Sequence, residues 1–325
     1  AIYTGMSRDN IISTLENCIF GAYRILYVSP ERLSSEYFLH KISHAKVSFI
    51  TVDEAHCITQ WGYDFRPSYL QITDFRKLFP NVPVLALTAT ATPEVVKDIQ
   101  QQLGFRQENV FRMSFLRPNL AYIVRKPVNR LEDMVYLLHN IEGSAIVYVQ
   151  TRKNACEIAE QICSKGISAT YYHAGLDTTE KNKRQEAWKQ GEIRTMVATN
   201  AFGMGIDKPD VRLVIHHECV TSIEAYFQEA GRAGRDGNKS YSFLLYDNHD
   251  RARLLKKIRT TFPDKEYIRK VYDDIAYFFQ IAVGDGYNCR FEFNIQQFCR
   301  NFRHHPTMVV PALNILDQAG YIEYD

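Results

Sequence analysis

Short apolar runs occur at residues 24–29, 47–52 and 82–87, each followed by a polar segment and separated by stretches with helical spacing of their apolar positions. Runs of that length bounded by turn residues predict buried strands, and their alternation with helices predicts a parallel sheet. A second series follows at residues 144–150, 168–172, 195–199, 211–216 and 240–246. The pattern predicts an α/β chain with two parallel-sheet domains in tandem. Residues 109–127 lack clean periodicity and carry Pro118 and Pro127, so the connector is expected there. We place the domain boundaries at 1–112, 113–250 and 251–325. Beyond Asp250 the pattern turns helical, with the basic run Arg251-Ala252-Arg253-Leu254-Leu255-Lys256-Lys257, a helix over 267–283 and a turn at Gly284-Asp285-Gly286. Pro306, Leu313, Leu316 and Gly320 then lead into the strand-like Tyr321-Ile322-Glu323, an order that predicts a small helical or winged-helix-like segment. Pro311 leaves the start of its helix open.

Composition narrows the function classes. With 325 residues, 46% of them hydrophobic, the chain can bury more than one core. Its 39 basic and 37 acidic residues nearly balance, so any surface that meets nucleic acid must be a local one. Seven cysteines without a Cys-x-x-Cys pair argue against a disulfide framework and a compact zinc site, and fit a reducing cytoplasm. No apolar stretch is long enough for a membrane helix, and no signal peptide is evident. The opening Ala1-Ile2-Tyr3, without a methionine, leads us to expect further sequence upstream.

The candidate chemistry sits where strands are predicted to end. Asp53-Glu54-Ala55-His56 follows the run at 47–52, and adjacent carboxylates at a strand exit suit phosphate chemistry: Asp53 to hold a Mg²⁺ shell, Glu54 to orient or deprotonate an attacking water. Gln228, Arg232 and Arg235 recur at helical spacing within Gln228-Glu229-Ala230-Gly231-Arg232-Ala233-Gly234-Arg235, which predicts one shared face, and a guanidinium can meet charge growing on a phosphoryl group. In Thr199-Asn200-Ala201-Phe202-Gly203-Met204-Gly205-Ile206-Asp207, glycines such as Gly205 allow backbone amides to approach an anion, and Asp207 can accept from a ribose hydroxyl or from Arg235. The segment from Cys57 to Pro67 gathers Trp61, Tyr63, Phe65 and Arg66, rings and a cation suited to unpaired bases and phosphate. The last three have plainer structural alternatives: a solvated basic turn, a strand-to-helix turn and buried aromatic packing.

Taken in order, Asp53-Glu54-Ala55-His56, the aromatic segment, Leu87-Thr88-Ala89-Thr90-Ala91-Thr92, Val147-Tyr148-Val149-Gln150-Thr151-Arg152, Gly203-Met204-Gly205-Ile206-Asp207-Lys208-Pro209 and the Gln228 to Gly237 run resemble the motifs of RecQ-type DNA helicases over roughly residues 1 to 250. The resemblance implies two tandem RecA-like domains and an ATP- and Mg²⁺-driven motor that moves 3′ to 5′ on single-stranded DNA and opens partly duplex DNA in repair and recombination. It implies that Asp53 binds Mg²⁺ through water, that Glu54 activates water, that Gln228 and Arg232 line the interdomain cleft, and that Arg235 is the arginine finger. It further implies that His56 and Thr88 link hydrolysis to DNA, that Trp61, Phe65 and Arg66 couple DNA engagement to turnover, and that Thr151, Arg152 and Thr199 meet the DNA backbone. A monomer acting in the cytoplasm, at a bacterial nucleoid, is expected. Tyr63 stands where the family commonly has histidine.

Two departures qualify that expectation. No Gly-x-x-x-x-Gly-Lys-Ser/Thr phosphate loop occurs in the 325 residues, and Gly237-Asn238-Lys239-Ser240 lacks the glycine before its lysine. Nothing matches the four-cysteine zinc module of many RecQ proteins, so no zinc is expected, and His304 and His305 are taken as exposed loop residues. A nonenzymatic single-stranded DNA-binding or regulatory protein with a degenerate motor fold and an RNA helicase are the rival readings. Without phosphate-loop amides and lysine the β- and γ-phosphates lose their main cradle. This polypeptide alone is therefore predicted to hydrolyse ATP feebly or not at all; robust DNA-stimulated ATPase from the purified 325-residue chain would overturn that.

Overall fold

The computed structural model describes residues 1–3, 6–59, 65–203, 206–282 and 284–324. The chain divides into two compact units: Ala1–Asn119 with Ser222–Arg232, and Leu120–Thr221 with Ala233–Asp325.

In the first unit, helices α1 (Arg8–Ile19) and α2 (Glu36–Ile42) precede β1 (Ile50–Val52), α3 (Gln71–Leu78), β2 (Val84–Ala86) and α4 (Pro93–Gln102). Ser7, Ser35 and Thr92 start α1, α2 and α4, each accepting an N–H of the first turn on its hydroxyl. Strands β1 and β2 pair in parallel, Ile50 opposite Val84 and Val52 opposite Ala86. Leu15, Phe38, Val52, Ile58 and Ile99 belong to the core beneath them. The strand expected at residues 24–29 is reduced to one parallel bridge between Val28 and Ile2, whose N–H donates to Tyr27 O at 2.8 Å. Ile25 and Tyr27 are largely exposed, so little burial supports a longer ladder there.

The second unit carries β3 (Leu120–Arg125), α5 (Arg130–Asn140), β4 (Ser144–Tyr148), α6 (Arg152–Ser164), β5 (Ala169–Tyr172), α7 (Thr178–Lys189), β6 (Thr195–Ala198), β7 (Val211–His216) and β8 (Ser240–Leu245). Its sheet is wholly parallel, in the order β3-β8-β7-β4-β6-β5. Strand β3 lies inside the stretch read from sequence as an aperiodic connector. It is an edge strand with Tyr122 and Val124 exposed, and the prolines at 118 and 127 sit just outside it. Between β7 and β8 the chain contributes α8 (Ile223–Ala230) to the first unit.

At the C-terminal edge the register aligns Tyr172 with Ala198, Ala198 with Tyr148, Tyr148 with His216 and His216 with Leu244. The residues that follow these strands therefore emerge side by side.

Among the described residues, four helices follow: α9 (Asn248–Thr261), α10 (Lys265–Phe278), α11 (Ile295–Asn301) and α12 (Pro306–Gln318). Val271, Phe298, Val309, Leu313 and Leu316 form the core of α10, α11 and α12. Helix α12 starts at Pro306, where a missing N–H costs nothing, and runs through Pro311. Residues 321–323 form no strand: no partner strand adjoins them among the described residues, and Ile322 packs instead on the helical core. His304 is not an exposed loop residue. Its side chain is 3% exposed, lies 2.7 Å from Asp274 Oδ2 and stacks on Phe298.

Trp188 is fully buried in the second unit, donates Nε1–H to Ala145 O at 3.2 Å and meets Phe202 edge to face. Trp188→Ala leaves a cavity in the core, and is predicted to destabilise this unit by about 3–5 kcal/mol. Hydrogen exchange of the β4 and β6 amides measures this; protection unchanged to within about 1 kcal/mol would contradict the packing described.

Candidate functional site

Asp53 and Glu54 follow β1 directly, and the strand pairing holds them: Leu87 N–H donates to Val52 O at 2.8 Å and Ala55 N–H to Leu87 O at 2.9 Å. Glu54 lies in the left-handed region, φ 48° and ψ 43°, where a side chain with a Cβ costs about 1–2 kcal/mol. Two bonds compensate: Glu54 N–H donates to Asp53 Oδ1 at 2.9 Å, and Cys57 N–H donates to Glu54 O at 2.9 Å. The turn leaves Asp53 exposed and Glu54 half-buried, facing inward.

His56 is buried beneath this turn, its Nδ1 3.0 Å from Thr88 Oγ1 and 3.3 Å from Glu54 Oε2. A proton on that nitrogen is within reach of both the carboxylate and the hydroxyl. Thr88 Oγ1 also accepts the Thr90 N–H at 3.3 Å, and Thr90 Oγ1 accepts from Gln228 Nε2 at 3.3 Å. A polar chain thus runs from Glu54 through His56, Thr88 and Thr90 to Gln228, all within the first unit. Thr90 was not singled out from sequence; its place in the quoted Leu87 to Thr92 run was the available signal. Tyr69 was also missed. Its hydroxyl donates to Asp53 O at 3.4 Å, and nothing in the linear sequence points to it.

Gln228, Arg232 and Arg235 do not share a helical face. Helix α8 ends at Ala230 with Gly231 as its cap, and residues 231–237 are turns, punctuated by Gly234 and Gly237 at positive φ. A Cβ on Gly231 would stand 2.9 Å from Phe227 O, so the glycine permits the helix to close as it does. Arg232 falls in the first unit and Arg235 in the second. Arg235 Nη1 donates to Asp207 Oδ1 at 3.0 Å and to Ile206 O at 3.1 Å. Its loop is anchored by the Arg212–Asp236 pair and by Gly234 N–H donating to Val211 O at 2.9 Å. The Arg212 guanidinium holds the Asp236 carboxyl far below the usual carboxylate range.

At the sheet edge of the second unit, Thr151 follows β4 and caps α6, accepting the Asn154 N–H at 3.1 Å. Arg152 opens that helix, exposed, and Thr199 follows β6, buried, with its N–H donating to Tyr172 O at 3.2 Å. Next to them is His173, whose pKa is pushed down by burial first and then by the Arg152 charge, with Arg184 and Lys181 adding to the effect. Phe65 and Arg66 are half-buried, with Arg66 N–H donating to Cys57 O at 3.0 Å. Trp61, Tyr63 and Gly205 lie outside the described residues.

Two family models match: the DEAD/DEAH box helicase over residues 1–99 and the helicase conserved C-terminal domain over residues 127–237. The chain is 44% identical over 237 residues to the ATP-dependent DNA helicase RecQ of Pasteurella multocida, 73% of this chain and 38% of the relative. It is 43% identical over 251 residues to RecQ of Bacillus subtilis, 77% of this chain and 42% of the relative. It belongs to the RecQ-type helicase family. The RecQ-type chain spans about two fifths of the length of these relatives. Among solved structures, its fold is similar to Mycobacterium smegmatis helicase Lhr bound to ssDNA and AMP-PNP, with TM-score 0.58 and 19% identity over 79% of this chain and 36% of that one. It is also similar to S. cerevisiae Dbp5 bound to RNA and ADP BeF3, with TM-score 0.53 and 20% identity over 70% of this chain and 61% of that one. Tandem RecA-like domains and a helical C-terminal region follow from these likenesses. Among the described residues, no helix is long and apolar enough to cross a membrane.

The Tyr69 phenol is pushed up to about 12, by burial first and then by the neighbouring Cys57, Glu54 and Asp53. An unfolded tyrosine ionises near 10, so the folded form is disfavoured as pH rises from about 10 to 12 and the Tyr69 contribution to stability is lost across that window. Ultraviolet titration of wild type against Tyr69→Phe is predicted to assign one tyrosinate appearing only near the top of this range; a difference spectrum centred at pH 10 would refute the burial argument.

Proposed function

We propose that the chain supplies much of the motor of an ATP-dependent helicase that moves 3′ to 5′ along single-stranded DNA and separates duplexes in repair and recombination. The observation that carries this reading is the series of polar contacts from Glu54 through His56, Thr88 and Thr90 to Gln228, because it links a strand-exit carboxylate pair to residues well beyond it. In this reading Asp53 holds Mg²⁺ through water. Its exposed carboxylate, with one oxygen already accepting the Glu54 N–H, suits an ion that keeps its hydration shell. Held there, such an ion would supply charge neutralisation for a triphosphate. Glu54, fixed in its tight turn, orients the attacking water, and His56 with Thr88 passes the state of that carboxylate toward Thr90 and Gln228.

Arg235 acts as the arginine finger and Gln228 and Arg232 contact the nucleotide, with Gly205 and Asp207 contributing to its binding. The Arg235–Asp207 pair supports the finger role, since Asp207 is 82% exposed and an exposed pair of this kind is worth about 0–1 kcal/mol. A phosphoryl group can displace Asp207 at little cost. Thr151, Arg152 and Thr199 meet the nucleic-acid backbone from one sheet edge, and Trp61, Phe65 and Arg66 couple that contact to turnover. DNA is favoured over RNA as the substrate because the RecQ relatives, at 43–44% identity, are named DNA helicases. The protein acts as a monomer in the cytoplasm, at the nucleoid.

In the full-length enzyme, Arg235→Ala is predicted to lower ATP turnover by about 10³-fold or more while nucleotide affinity changes by less than about threefold. Single-turnover hydrolysis and nucleotide titration measure the two quantities separately; unchanged turnover removes the finger assignment.

A further inference from the structure

The loop after β7 holds a carboxylate that the reading above leaves unused. Glu218 is 8% exposed, and each of its oxygens is claimed by a different element. Oε1 accepts from Asn154 Nδ2, in the first turn of α6, at 3.0 Å. Oε2 accepts from Arg253 Nη1, on α9, at 2.6 Å. His217 Nδ1 lies 3.5 Å from Oε1. The His217 ring and then the Arg253 and Arg130 charges hold the carboxyl below its ordinary range against the opposing effect of burial, so it is ionised at neutral pH.

Asn154 is engaged at both ends. Its backbone N–H donates to Thr151 Oγ1 and its side chain donates to Glu218, so the hydroxyl of Thr151 and the start of α6 are referenced to one buried anion. Arg253 is engaged at both ends as well, since its Nη2 donates to Asp250 Oδ1 at 2.6 Å. Asp250 in turn pairs with Arg130, which also donates to the His217 and Leu245 carbonyls. A charge network therefore spans α9, the β7 loop and the first turn of α6, its two carboxylates buried and its Arg253 end 46% exposed. Removing a partner would leave Glu218 or Asp250 buried without its counter-charge, so the carboxylate end of the network holds its geometry instead of yielding to a ligand.

We propose that Glu218 is a positioning residue that sets, through Asn154, the first turn of α6 and with it Thr151 and Arg152 against the nucleic-acid backbone, and that Arg253 ties this setting to α9. The proposal rests on the reading that Thr151 and Arg152 contact phosphate.

The experiment uses the full-length enzyme and a fluorescein-labelled oligothymidylate, with affinity read by anisotropy across a KCl series. Arg152→Ala tests the underlying reading: affinity falls and the salt slope drops by about 0.7, one phosphate contact on a single strand. Asn154→Ala and Glu218→Ala are each expected to weaken binding about 5- to 20-fold and lower the slope. Because both variants break one linkage, the double variant weakens binding no further than the single ones. Glu218→Gln keeps an acceptor for Asn154 and is expected to stay within about threefold of wild type, a rescue that loss of stability alone would not produce. If Arg152→Ala weakens binding while Asn154→Ala and Glu218→Ala do not, the positioning role is overturned and the phosphate reading stands. If Arg152→Ala changes neither affinity nor slope, the phosphate reading falls and takes the positioning role with it. Should Glu218→Ala fail to fold, Asn154→Ala decides, since its backbone N–H still caps on Thr151 and it leaves the Glu218–Arg253 pair intact.

Discussion

Parallel strand pairing is the constraint on which the chemistry of this chain depends. In a parallel sheet every strand leaves at the same edge, so the residues just past the strands gather in a row whatever their separation in sequence. Asp53 stands one residue beyond β1, and Thr88 two beyond β2. In the second unit the aligned Tyr172, Ala198, Tyr148 and His216 deliver His173, Thr199, Thr151 and Glu218 to one edge. Without that pairing these residues would be scattered polar positions on loops.

The sequence carried the fold where burial is two-sided and less where it is not. Strands β4, β6 and β7 are buried nearly throughout, and their continuous apolar runs were legible for that reason. Strand β3 has only Leu120 buried and otherwise alternates half-buried and exposed residues at the sheet edge between two prolines, a pattern that reads as a connector. The run at 24–29 was apolar enough to suggest a strand, yet apolarity does not supply a pairing partner. At the site, Asp53-Glu54-Ala55-His56 was legible from its position after a strand, whereas the contacts of Thr90 and Tyr69 depend on how loops 16 to 138 residues apart meet. The helical spacing of Gln228, Arg232 and Arg235 does not become a shared face because the helix ends at Ala230, capped by Gly231, before either arginine.

Two kinds of ion pair serve different ends here. Asp207 and Arg235 meet in water, where charges exchange partners cheaply. Glu218 and Asp250, by contrast, are buried carboxylates, Asp250 at 1% exposure, and a buried carboxylate gives up its arginine partner only at high cost even though Arg253 itself reaches solvent. Exchangeable pairs suit a residue that must reach for a transient ligand, and fixed ones suit a residue that must hold a helix end still.

The excursion of residues 222–232 into the first unit has a consequence for biosynthesis. Domains emerging from a ribosome ordinarily fold in order, N-terminal first. Here Thr90 leaves the ribosome 138 residues before the Gln228 it bonds, and the strands β3 to β7 are made in the interval. The core of the first unit is complete without that excursion, but its Thr90–Gln228 bond can form only once about half of the second unit has been translated.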